Sequence, residues 1–138
     1  MAHSITIKSA HDGTTLEFSK DPEDYFRVSF NGPGCHGACL VYVGEPGTPP
    51  DKFFRDLASN WRGWQGKKEW SSLEGELRFS ATCDSTGHVS LSARLRSGPY
   101  PFDWSLSGVL LLEAGSLERI ALEIEKLGMR VLPNKRIG

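Results

Sequence analysis

No stretch of this chain is both long and apolar enough to span a bilayer. Its opening residues, Met1-Ala2-His3-Ser4, lack the apolar core of a secretory leader. Cysteine is scarce. The three that occur, Cys35, Cys39 and Cys83, are an odd number, which argues against a disulfide framework and makes a cytoplasmic location the expectation. Charge of one sign is also missing: 16 basic residues balance 17 acidic ones. That balance excludes a broad electrostatic claim on nucleic acid or on an anionic membrane, so any steering must come from local patches. Phosphate-loop and dinucleotide fingerprints are absent. Ser107-Gly108 does not complete the Gly-x-Ser-x-Gly of a nucleophile elbow.

What is present is periodicity. From residue 70 to 112 the chain alternates strictly: Leu77, Phe79, Ala81 and Cys83 against Glu76, Arg78, Ser80 and Thr82, then Val89, Leu91, Ala93 and Leu95 against Ser90, Ser92, Arg94 and Arg96. Period-two patterning on both sides of a glycine-containing turn predicts a half-buried antiparallel hairpin. Burial of one face fixes its register, because a slip of one residue would turn every apolar side chain outward. Phe79 is then opposite Ala93 and Leu77 opposite Leu95, with Ser85-Thr86-Gly87 as a three-residue loop and Gly87 in the left-handed conformation. The same register sets Asp84 beside His88, Arg78 beside Arg94 and Glu76 beside Arg96. Like charges directly opposite each other are destabilising unless a carboxylate or a partner lies between them. Glu76 or a neighbouring acid is the bland answer, and a docking face for an anionic partner is the sharper one.

The rest of the chain supplies similar elements. Alternation predicts a first hairpin, 4–9 with 14–19, around His11-Asp12-Gly13, and a third strand around Phe26, Val28 and Phe30. Residues 36–43 are apolar on both faces, which predicts a more central strand. Thr48-Pro49-Pro50-Asp51 reads as a helix start with Thr48 as cap, and Phe53, Leu57, Trp61 and Trp64 fall on one stripe of that helix. Strands at 70–83, 88–96 and 103–113 follow. Ser116 is expected to cap a second helix, with Leu117, Ile120, Ala121, Ile124 and Leu127 on one face, Arg119 paired with Glu123, and Gly128 as its stop. The expected fold is α+β: a single antiparallel sheet of about six to seven strands with two helices, in the order ββββαβββα. Residues 1–132 read as one domain and 133–138 as a flexible basic tail, with no internal repeat beyond a loose likeness of the two halves.

Each candidate for chemistry has a simpler structural explanation. Cys35, His36, Cys39, Cys83 and His88 lack the paired spacing of a structural zinc site, and buried thiols on apolar strands are ordinary, so no metal and no cofactor is expected. Cys35 and His36 are adjacent on a strand and point to opposite faces. Asp84 and His88 are better placed as an acid–base pair, but an Asp before a glycine-containing turn is also plain turn chemistry. Among the tryptophans, Trp61 and Trp70 read as core, while Trp64, near Arg62, Lys67 and Lys68, reads as an exposed anchor for a partner.

Residues 73–127 carry a Leu-rich strand, then Asp84-Ser85-Thr86-Gly87-His88-Val89, then a second strand and a Leu-Glu-x-x-Ala-type helix, Leu117-Glu118-Arg119-Ile120-Ala121-Leu122-Glu123-Ile124. That arrangement resembles the immunity-protein family associated with the wall-associated contact-dependent toxin of Gram-positive bacteria, whose members bind and neutralise a cognate toxin domain. The motifs are turn and core positions, and no functional residue is carried across. Together the readings predict a non-enzymatic protein-binding domain, with an immunity protein facing a toxin domain as the form the resemblance implies. Its contact residues are expected to be Arg78, Arg94, Arg96 and Trp64. The alternatives are a small hydrolase-like enzyme using Asp84 and His88, and a small-ligand-binding sensor module.

Overall fold

The computed structural model describes residues 4–20, 24–44 and 46–128; the expected tail at 133–138 lies outside these. The first half is a meander of β1 (Ser4–Lys8), β2 (Thr15–Lys20), β3 (Tyr25–Gly32) and β4 (Cys35–Tyr42), followed by helix α1 (Asp51–Ser59). The second half repeats that topology with β5 (Lys68–Ser71), β6 (Leu77–Cys83), β7 (His88–Arg96) and β8 (Ser105–Glu113). A short 3₁₀ turn (Ala114–Ser116) leads into α2 (Leu117–Leu127).

The α+β class stands, but the single sheet does not: the strands form two four-stranded antiparallel sheets, β1-β2-β3-β4 and β5-β6-β7-β8. The expected strand at 70–83 is two strands. Between them Gly75 takes φ +79°, and Ser72 closes the turn. Its N–H donates to Leu77 O at 2.9 Å, and its hydroxyl donates to Glu76 Oε1 at 2.7 Å and accepts from Leu77 N–H at 3.1 Å. The strand expected to be central, β4, is an edge strand. Its apolar character is used instead on the second sheet: Cys39 Sγ lies 3.7 Å from Glu76 O. At Gly37, a side-chain carbon would sit 3.5 Å from the Trp104 ring and 3.6 Å from Leu106.

Helix α1 is shorter than the apolar stripe predicts. It stops at Ser59, where the Asn60 side chain and backbone turn back onto Asp56 O, and Gly63 continues the turn at φ +122°. Neither Thr48 nor Ser116 makes a capping bond: Asp51 accepts from Lys52 N–H, and the Ser116 hydroxyl donates to Glu113 O. At the other end of α2, Gly128 takes φ +70° as expected, and Arg119 meets Glu123 at 3.1 Å. The helices are tied by Arg55, which reaches Glu118 at 3.0 Å and Glu125 at 3.1 Å.

One core joins both sheets and both helices. Its aromatic hub is Phe79, whose ring lies 5.3 Å from Phe54, 5.6 Å from Trp70, 5.7 Å from Phe53 and 6.3 Å from Phe18. Rings at these separations gain about 0.5–1.5 kcal/mol per pair beyond area burial. Because side chains alternate along a strand, anchoring Phe79 inward obliges Arg78 and Ser80 to face outward.

Candidate functional site

The hairpin register is the expected one: Leu77 pairs with Leu95, Phe79 with Ala93, Arg78 with Arg94, and the Arg96 N–H donates to Glu76 O at 2.8 Å. Extending it across the sheet produces two outward rows. The first runs Ser71–Arg78–Arg94–Ser107 and the second Glu69–Ser80–Ser92–Val109, each residue directly opposite the next on the neighbouring strand. Consecutive rows on one face are about 7 Å apart. Between them runs an open groove of about 390 Å³, lined by Glu69, Trp70, Ser71, Arg78, Phe79, Ser80, Ser92, Ala93, Arg94 and Ser107.

Two arginines and one acid, Glu69, line the groove. Among the described residues no carboxylate forms an ion pair with Arg78 or Arg94. Glu76, the first candidate to do so, is buried and turned away, held by the Ser72 hydroxyl and by Tyr42 N–H, which donates to it at 3.5 Å. Glu69 stands at the groove wall, 3.9 Å from Lys67. Arg94 Nε is fully buried and has no hydrogen-bond partner. A buried polar atom left in that state costs roughly 1–3 kcal/mol.

Of the predicted contact residues, the structure brings Arg78 and Arg94 together and separates the others. Arg96 donates from Nη2 to Tyr100 O at 2.8 Å and so serves the loop between β7 and β8. Trp64 is half-buried against the core, with Nε1 donating to Ala81 O at 3.2 Å and Lys68 Nζ 5.8 Å from the ring centroid. It lies away from the groove lining. Trp61, expected in the core, is instead 52% exposed beyond the helix end, with the Arg62 guanidinium over its ring at 5.1 Å.

Sequence patterning missed the aromatic loop at residues 97–104. Tyr100 and Phe102 stack at 5.4 Å with their planes 3° apart, and Phe102 is 84% exposed. The loop is held from below: Asp103 accepts from the Ser97 hydroxyl and from Tyr100 N–H at 2.9 Å, and Trp104 N–H donates to the Ser97 hydroxyl at 3.1 Å. Three aromatics within five residues, Tyr100, Phe102 and Trp104, were the available signal, overshadowed by reading residues 97–101 as a corner.

Asp84 and His88 flank a hairpin turn, with His88 Nδ1 3.7 Å from Asp84 Oδ2. Asp84 Oδ1 accepts from Thr86 N–H at 2.8 Å, the Thr86 hydroxyl at 2.7 Å and His88 N–H at 3.0 Å. These bonds, led by the Thr86 hydroxyl, pull its carboxyl down to about 2. The His88 ring meets the Thr86 hydroxyl at 2.7 Å through Nδ1 and Glu113 at 3.4 Å through Nε2. The hollow nearby is lined by Trp61, Arg62, Thr86, Gly87, Glu113, Ala114 and Gly115, with neither Asp84 nor His88 in its wall.

All three cysteines are free. Cys39 is the most withdrawn chemically: burial, and then the nearby Glu76 charge, push its thiol up to about 11. Among the described residues no cluster of three or more His, Cys, Asp or Glu is placed to hold a metal ion, and no helix is long and apolar enough to cross a membrane.

A family model described as a family of unknown function (DUF6228) matches residues 7–129, so the chain belongs to that family. No curated protein and no solved structure matches it.

Proposed function

We propose that this member of the DUF6228 family is a non-enzymatic binding domain that docks an acidic protein partner on the outer face of its second sheet. The observation that carries this reading is the Ser71–Arg78–Arg94–Ser107 row, two facing arginines on an open groove that form no ion pair with a carboxylate among the described residues. Like charges directly opposite each other are destabilising, and an acidic group of a partner seated between them relieves that repulsion. The preorganised aromatic loop, tied to the same sheet through Arg96 and Tyr100, adds what protein interfaces favour, namely rigid Tyr, Phe and Trp beside Arg. An immunity protein neutralising a toxin domain is the specific form of this reading.

The test is affinity capture from the native host, under toxin-expressing conditions, with the wild type and an Arg78→Glu/Arg94→Glu variant whose fold is checked by circular dichroism. The captured protein is then purified and titrated against both forms. Loss of binding in the variant, with an affinity that falls as salt rises, supports the reading. Equal binding by both forms removes the basic face from it.

A further inference from the structure

We propose that the groove between Arg78 and Arg94 is a site for one phosphoryl group, a phosphomonoester carried by the bound molecule. The proposal rests on the reading of this sheet face as the contact face. The polar side chains lining the groove are mostly donors: the guanidiniums of Arg78 and Arg94 and the hydroxyls of Ser80, Ser92 and Ser107, with the Ser71 hydroxyl already donated to Ser72 O at 2.9 Å and Glu69 as the one carboxylate in the lining. A guanidinium has no acceptor, and a hydroxyl can rotate to donate. Such a set is completed by an acceptor-only ligand with several oxygens. A phosphoryl group offers three strong acceptors and a charge of about −1.5 to −2 at neutral pH, which matches two arginines; a carboxylate offers two oxygens and one charge.

The protein's other well-placed arginine shows the contrast. Arg55 is already paired with Glu118 and Glu125, whereas among the described residues neither Arg78 nor Arg94, both in the groove lining, has a carboxylate ion-pair partner. Arginine suits this role because its planar fork can grip two phosphoryl oxygens at once while the serines take the third. The groove is open at the surface, so a phosphorylated side chain on a protein and a free phosphorylated metabolite both reach it.

The experiment is isothermal titration of the intact chain with inorganic phosphate, phosphoserine, a short phosphoserine peptide and glutamate. Phosphoserine binding that weakens about tenfold or more in Arg94→Gln, and is unchanged in Arg119→Gln, is the expected result. Arg78→Gln provides a second, more exposed test in case Arg94→Gln fails to fold. A peptide that binds more tightly than phosphoserine identifies a protein-borne phosphate; equal affinity identifies a small phosphorylated molecule. Glutamate matching phosphoserine, no binding by any phosphate, or equal loss in Arg119→Gln overturns the proposal. If phosphate fails to bind while the Arg78→Glu/Arg94→Glu variant still loses the captured protein, the docking face stands and the phosphoryl site falls. If phosphate binds while that variant captures normally, the phosphoryl site stands and protein docking on this face falls.

Discussion

The two sheets meet where the Phe30 ring enters a slot between Gly32 and Gly108, and substitution of Gly108 by alanine tests that junction. An added methyl at 108 would lie 2.2 Å from Phe30 Cζ and 2.6 Å from Cε2, while one at 32 would lie 3.1 Å from Cε1. Carbon atoms in contact prefer about 3.5–4.0 Å, so the ring must swing or the sheets must part. Phe30 is only 5% exposed, which leaves the ring little room to move. Overpacking of this kind costs about 1–3 kcal/mol. Replacing a strand glycine by alanine returns roughly 0.5–1 kcal/mol of backbone entropy. The net expectation for Gly108→Ala is therefore a loss of about 1–2 kcal/mol, read from urea unfolding followed by circular dichroism. Phe30→Leu removes the clashing ring edge and costs about 1–3 kcal/mol alone by lost packing. In the double variant the two losses sum to less than their total, because the clash no longer exists. A neutral Gly108→Ala, or strict additivity in the double variant, refutes this account of the junction.

Three further outcomes follow from the site and its surroundings. Arg94→Gln should leave stability unchanged or raise it by about 0.2–1 kcal/mol, since it removes a like-charge pair across strands; a clear loss in urea unfolding would make Arg94 a structural residue. Asp84 titrates below its ordinary 3.8, at about 2, so its support of the hairpin turn is complete above pH 3.8 and gone below about 2. Amide exchange at Thr86 and His88, corrected for intrinsic rates, should lose protection across that window in the wild type and show no such step in Asp84→Ala. Thiol labelling near neutral pH should modify exposed Cys35 first and Cys39 last, because the Cys39 thiol is pushed up to about 11; equal rates would contradict its burial.

The sequence was most informative where one constraint dominates. Alternation alone placed Leu77, Phe79, Val89, Leu91 and Leu95 inward and Arg78 opposite Arg94, because a half-buried hairpin tolerates only one register. It could not reveal which hairpins share a sheet. β4, apolar on both faces, reads as a central strand with a partner on each side, yet α1 intervenes before β5 and β4 docks on the second sheet as an edge strand. The stripe that carried α1 through Trp61 and Trp64 failed for a local reason: the backbone N–H and side chain of Asn60 end the helix before either residue. Glu76 was expected beside the arginines because its position in the strand parity allowed it. The turn at Gly75 redirects it to Ser72 and Tyr42, and that redirection leaves the groove basic. Phe102 has no periodic partner, so its exposure is visible only once Ser97 and Asp103 are seen holding the loop.

The most direct measurement is the ¹⁵N–¹H spectrum of the arginine Nε–Hε groups during titration with phosphoserine. The Arg78 and Arg94 resonances should both shift. Arg55 and Arg119, already paired to glutamates, should stay in place. Shifts at Arg55 or Arg119 that equal those of Arg94, or no shift at Arg78 and Arg94 at saturating phosphoserine, would contradict an anion site on the outer face of the second sheet.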